Sequence, residues 1–203
     1  MSVVSLLQLA QYFALHQPTR TIVLNFNNGE EDGLHGARLY VPFIESNQIR
    51  YSQLPSFLEH SWSKHIHMFI NLEGAGAGGR PALFRSTSPR LTGAFSSAAH
   101  PHGSVLFSDL FASGAVRSIT DFEIYDAAGM VGVDYAFYTG RQKYHTVYDS
   151  VPALRGNKSL WGMMENLHGV AVSVAHDTRP EDDKDLKVVY FDSKCNYILR
   201  SAC

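Results

Sequence analysis

A layered α/β fold is what this sequence predicts, and three observations predict it. Val3, Leu6, Leu7, Ala10, Phe13 and Ala14 recur at helical spacing until Pro18 stops the pattern, so the chain opens with an amphipathic helix. Thr21 to Asn27, β-branched and apolar, follows at a short connection and reads as a strand. A second strand is expected where Ile66, Met68, Ile70 and Leu72 alternate with His65, His67, Phe69 and Asn71. The about 40 residues between the two runs can hold a crossover helix, which makes the pair parallel.

Further along, weaker strands are expected at Ala82 to Phe84, Phe122 to Tyr125 and Val133 to Tyr138. Helices are expected near Val105 to Ser113 and Ser159 to Val174, the latter ending before a charged, loop-like stretch from Asp177 to Lys187. Leu39 to Pro55 and the tail from Ser193 fit neither period and are expected to be weakly structured.

The 203 residues are 45% hydrophobic and 12% aromatic, enough apolar material for one domain with its own core. Seventeen basic residues against 19 acidic ones give a formal charge of -2, so nothing in the charge balance draws the chain to nucleic acid or anionic lipid. The only cysteines, Cys195 and Cys203, cannot build a disulfide framework or a multi-cysteine metal site. Met1 to His16 lacks the basic flank and small-residue cleavage site of a signal peptide. No apolar run reaches the about 18 residues that a membrane-spanning helix needs, so the chain itself is expected to be soluble.

Ligands of open α/β sheets bind beyond the C-terminal ends of strands. That rule selects Glu30 and Glu31 after the first strand and Glu73 at the end of the second. Adjacent carboxylates repel unless a cation or a proton compensates them, which a metal would do; taken alone, the Glu-Glu-Asp-Gly string reads first as a solvated acidic turn, with the metal as the other reading. The small residues from Gly74 to Gly79 lack the Lys-Ser/Thr ending of a phosphate loop and read better as close backbone packing. Of the ten histidines, pairs such as His65/His67 and His100/His102 read as surface or hydrogen-bonded structure. His145 differs: it follows a strand, sits beside Tyr144, and has Thr146 and Asp149 nearby to orient its ring.

Three dispersed strings then carry a resemblance: Asn27-Asn28-Gly29-Glu30-Glu31-Asp32-Gly33-Leu34-His35-Gly36-Ala37, Phe69-Ile70-Asn71-Leu72-Glu73-Gly74-Ala75-Gly76, and Lys143-Tyr144-His145-Thr146. In order and spacing they resemble the two-zinc aminopeptidase and glutamate carboxypeptidase family. Stretches such as Gly79-Arg80-Pro81, Phe84-Arg85-Ser86-Thr87 and His100-Pro101-His102-Gly103 are most similar to its fungal vacuolar membrane protease and endoplasmic reticulum metallopeptidase branch. The likeness implies a three-layer αβα sandwich with a mixed central sheet, as in zinc exopeptidases. It covers residues 1–192, with an unmatched insertion near 39–55 and an unmatched tail at 193–203.

Carried over by position, the resemblance implies that Glu30 is the general base and that Glu31 and His145 share one zinc. Glu73 falls where a ligand of the other zinc stands, and Tyr144 where a hydroxyl stabilises the oxyanion. The implied activity is hydrolysis of N-terminal peptide bonds by water activated between two zinc ions. The implied setting is a vacuolar or endoplasmic reticulum membrane, reached through segments that this chain does not contain. Family members also place a His-x-Asp motif and an Asp-Asp-Gly motif upstream of the first helix, and neither occurs here. The chain is therefore expected to be an N-terminally truncated catalytic domain that holds one zinc or fewer, with an inactive fragment or an interaction domain as the alternative.

Overall fold

A computed structural model describes residues 1–27, 30–31, 34, 36–37, 42–45, 48–51, 57–74, 76, 78–116, 119–154, 156–179, 188–192 and 198–202. The chain opens with helix α1 (Ser2–Leu15). A hairpin follows, β1 (Pro42–Glu45) antiparallel to β2 (Gln48–Tyr51). Two short 3-10 turns, Phe57–Glu59 and Ser61–His65, lead to β3 (Met68–Gly74). Next come β4 (Ala82–Ser86), α2 (Pro89–Phe95), α3 (Val105–Ala112), α4 (Asp121–Ala127) and β5 (Val131–Phe137). Helix α5 (Lys158–Ala175) precedes a second hairpin, β6 (Val188–Asp192) with β7 (Ile198–Ala202).

The central sheet runs β3-β5-β4, with β3 parallel and β4 antiparallel to β5, so it is mixed. β5 is buried at all seven positions, as a middle strand covered on both faces must be. One face presents Val133, Tyr135 and Phe137 to Leu91, Ala94 and Phe95 of α2 and to Met163 and Val170 of α5. Leu9 of α1 closes the same layer against Leu167 and Ala171 of α5. On the other face Phe69 meets Phe122 and Tyr125 of α4 with ring centroids 5.3 and 5.2 Å apart. Phe84 stacks there on Phe107 of α3 at 4.7 Å. Helices thus cover both faces in a three-layer αβα arrangement.

Local chemistry sets the helix starts. Ser88 accepts from Leu91 N at 3.1 Å, and Pro89 follows at the first helical position of α2. Thr120 and Glu123 form a reciprocal capping box that begins α4. That box, with Phe122 and Tyr125 buried three residues apart on one helix face, corrects the strand expected at 122–125.

Four other expectations change. Residues 21–27 carry no sheet pairing with the described residues; Arg20 N, just before them, donates to Ala175 O at 2.9 Å, and Asn25 Nδ2 donates to Tyr125 Oη at 3.1 Å. The parallel pair expected of the first two strands is therefore not formed, and the described residues between them hold a hairpin and 3-10 turns rather than a crossover helix. His65 closes a 3-10 turn and His67 precedes β3, so the two do not share a strand face. The insertion and the tail, expected to be weakly structured, each contribute strands to a hairpin. Most of the charged stretch after Asp177, residues 180–187, lies outside the described residues.

Candidate active site

Parallel pairing of β3 with β5 brings their C-terminal ends to one sheet edge, with Glu73 opposite Ala136. Beyond Phe137 the chain turns at Gly140, φ +72°, into a 3-10 turn, Arg141–Lys143, that delivers Tyr144 and His145. Beyond β3, a Cβ on Gly76 would stand 2.5 Å from Thr139 O, and one on Gly79 would stand 2.2 Å from Thr139 Oγ1. Gly79 N also donates to Ser159 Oγ at the start of α5, at 2.8 Å. The small-residue stretch is therefore close packing between two loops and a helix end.

Glu31 and His145 meet directly, Oε1 against Nε2, with both side chains about half exposed (62% and 54%). Tyr144 stacks on the His145 ring at 3.8 Å and 23°, and the Arg141 guanidinium lies 5.6 Å from the Tyr144 ring. His145 has φ +59°, a left-handed conformation that a residue with a Cβ adopts at some cost. The loop holds it there and so aims the imidazole at Glu31.

Glu30, next to Glu31 in the chain, lies in the field of that pair, and Glu73 lies in the field of Glu30. Partial burial raises the Glu30 carboxyl above its ordinary range, with Glu31 and then Asp121 adding to the rise and His145 opposing it. Burial pushes Glu73 up to about 8, and the Asp134 carboxylate adds to this while the Asn71 amide opposes it. Tyr144 is raised by burial and then by Glu31. An acidic cluster that holds protons this firmly is one that a cation would relieve.

Sequence reasoning missed the groups beneath this cluster. Asn71 Nδ2 donates to Glu73 Oε1 at 3.0 Å and to Asp134 Oδ1 at 3.1 Å. Asp134, 2% exposed, takes Arg85 Nε on Oδ2 at 3.0 Å, and Arg85 Nη2 donates to Thr120 Oγ1 at 2.9 Å. Arg85 also pairs with Glu123 and lies over the Phe111 and Phe122 rings at 4.1 and 4.5 Å. Asp121 is buried beside them; Asn27 donates to its Oδ2, and its Oδ1 has no partner among the described residues. The available signal was a lone charge inside each of two apolar strands, Arg85 and Asp134, with the Thr120-x-x-Glu123 spacing close by. His102 is held structurally between Asp192 Oδ2 at 2.7 Å and Tyr138 Oη at 2.9 Å.

Carboxylate and imidazole are zinc donors, and the Glu31–His145 contact puts one of each together. This pair fits zinc in kind. In number it falls short, because no group of three His, Cys, Asp or Glu side chains among the described residues stands close enough to hold one ion.

A protein-family model, Peptidase family M28, matches residues 1–171. The chain belongs to peptidase family M28. Among curated proteins, this M28 domain is 47% identical over 199 residues to a protein of Laccaria bicolor named Vacuolar membrane protease, covering 95% of the chain and 18% of that protein. A Vacuolar membrane protease of Schizophyllum commune is 47% identical over 196 residues, 95% of the chain and 20% of that protein. One of Coprinopsis cinerea is 41% identical over 211 residues. The M28 domain thus spans about a fifth of the length of these relatives. No solved structure matches it. No helix among the described residues is long and apolar enough to cross a membrane.

Proposed function

We propose that this domain is the catalytic part of a zinc-dependent aminopeptidase that hydrolyses N-terminal peptide bonds. The observation that carries the reading is the contact of Glu31 with His145, residues 114 positions apart, beside a Glu30 carboxyl of raised pKa and under a stacked tyrosine. Glu31 and His145 would hold one zinc, and Glu73, bonded by Asn71, would serve a second. When bound, zinc supplies Lewis acidity, which makes water a nucleophile near neutral pH. Glu30 is the general base: it takes a proton from the attacking water and returns it to the amine nitrogen as the C–N bond breaks. Tyr144 donates its hydroxyl proton in a hydrogen bond to the oxyanion that develops on the scissile carbonyl.

The substrates are peptides, and the names of the relatives support a place at the vacuolar membrane. One observation favours a second reading, an inactive domain kept for interaction: the described residues bring no three metal donors together. The two readings separate in an assay of the domain joined to whatever flanking polypeptide its gene encodes, with aminoacyl chromogenic substrates and added zinc. Turnover that Glu30→Gln removes supports the enzyme. A wild-type protein that loads zinc yet shows no turnover leaves the interaction reading.

A further inference from the structure

The start of α5 carries a string that peptide hydrolysis does not use. Asn157-Lys158-Ser159 is an Asn-x-Ser acceptor for N-linked sugar, and no other Asn in the 203 residues has Ser or Thr two positions on. Such strings are common, so their surroundings decide. Asn157 is the exposed N-cap of α5, yet its side chain makes no capping hydrogen bond. A capping side chain works from extended backbone, whereas Asn157 lies in the right-handed helical region, φ -94° and ψ 0°. Its amide is bonded to nothing else among the described residues. Gly156 before it turns at φ +115°, and a Cβ there would meet nothing within 4 Å, so the space around the turn is open.

A second observation at the same place points to sugar. Trp161 stands one helical turn further along, its N donating to Asn157 O at 2.9 Å, and residues so spaced share a helix face. The indole is 61% exposed and nevertheless fixed, because Nε1 donates to Glu165 Oε1 at 2.6 Å. Holding a side chain in one rotamer costs entropy, and here the result is a flat apolar ring presented to solvent beside a free amide. The C–H face of a sugar ring packs on such a surface. Ser159 sets the timing. It is 7% exposed, and its hydroxyl accepts from Gly79 N at 2.8 Å. A transferase that reads this hydroxyl together with the Asn157 amide reaches both only before the domain has folded.

We propose that Asn157 carries an N-linked oligosaccharide whose first sugar packs on Trp161. In the transfer, Asn157 Nδ2 attacks C1 of the oligosaccharide held on a lipid diphosphate. The N–C1 bond forms, the bond from C1 to the phosphate oxygen breaks, the lipid diphosphate leaves and the amide gives up one proton. That donor is met on the lumenal side of secretory membranes, so the modification rests on the proposed place at the vacuolar membrane and puts this domain on the lumenal side of it. The glycan stands at the rim of the candidate active site: Ser159, two residues on, bonds Gly79, and Gly79 packs on Thr139 between the loops that leave β3 and β5. A bulky polar group there screens the rim and covers the exposed indole.

The test uses the full gene product from membranes of its own cells, and none of its readouts is peptidase activity. Peptide N-glycosidase in heavy-oxygen water converts a glycosylated Asn to labelled Asp, and the peptide that contains Asn157 is expected to carry the label. Asn157→Gln, which removes a side chain with no described bond, is expected to run lower on a gel by one glycan. Oxidative footprinting of Trp161 in the folded protein is expected to rise severalfold when the sugar is removed, with Trp62, also exposed, unchanged. Protease treatment of sealed vacuoles reports the side of the membrane. A domain digested in sealed vacuoles overturns the lumenal placement and the modification together, and leaves the peptidase reading standing. A protected domain with Asn157 unlabelled overturns the modification alone. Equal footprinting of Trp161 with and without sugar overturns the packing on its ring.

Discussion

Glu31 and His145 stand 114 residues apart in the chain and touch through Oε1 and Nε2. Two elements create that contact: the unpaired run 21–27, which ends just before Glu30, and the turn after β5, which holds His145 at φ +59°. Tyr144 is fixed by the same turn and stacked on the same ring, so it lies close to the donor pair without being a donor itself. Tyr144→Phe in an active form of the protein is expected to lower kcat by about 100-fold with zinc content unchanged, the usual cost of one oxyanion donor. Steady-state kinetics with elemental analysis checks both halves.

Glu73 gives a pH dependence whose sign follows from its surroundings. It faces Asp134 on β5, Asn71 on its own strand, Asp121 at the start of α4, and Glu30. Its carboxyl, pushed up from 4.5 to about 8, keeps in the folded state a proton that the unfolded chain releases. The resulting stability is fully present below pH 4.5 and is lost as pH rises through about 8. Metal-free protein is expected to melt about 5–10 °C lower at pH 8 than at pH 5. Glu73→Gln should flatten that slope, and scanning calorimetry of both proteins across this range reads it.

Arg85 is the cation that holds Asp134, Glu123 and Thr120 in place beneath Asn71. Arg85→Met keeps much of the packing against Phe111 and Phe122 but leaves the Asp134 carboxylate uncompensated in the core. Breaking a buried pair in this way costs about 3–5 kcal/mol. Urea denaturation is expected to show a loss of that size at neutral pH, and the double variant Arg85→Met with Asp134→Asn should recover part of it. A single variant as stable as the parent would mean that the network is not tightly coupled.

Gly76 allows the loops after β3 and β5 to approach, since a Cβ there would meet Thr139 O at 2.5 Å. The three nearest atoms, Thr139 O, Tyr138 C and Thr139 N, all belong to the main chain, so relief requires a loop to move. Gly76→Ala is expected to destabilise by about 1–3 kcal/mol and to weaken any metal that bridges the two loops. Gly74→Ala, where nothing lies within 4 Å, is the matched control.

Much of this was legible in the sequence wherever burial and local period agree. Helices α1, α3 and α5 and strands β4 and β5 fall within a few residues of their predicted places. The failures have physical causes. Phe122 to Tyr125 looks like a strand by composition, but the Thr120–Glu123 capping box starts a helix. Residues 21–27 have strand composition and no neighbour to pair with, which sequence period alone cannot reveal. At the site, motif residues such as Glu31 and His145 stand out by type and spacing. Asp121 and Asn71 do not, because their roles arise only when α4 packs across β3 and β5.

Zinc binding to the 203-residue protein, followed by titration and by elemental analysis after dialysis, separates the roles assigned to Glu30, Glu31 and His145. The parent is expected to retain at most one weakly held ion. Glu30→Gln, which removes a base and no donor, should retain it, whereas Glu31→Gln and His145→Ala should lose it. Zinc that survives His145→Ala, or that is lost equally in Glu30→Gln and His145→Ala, would contradict the assignment of Glu31 and His145 as the metal-holding pair.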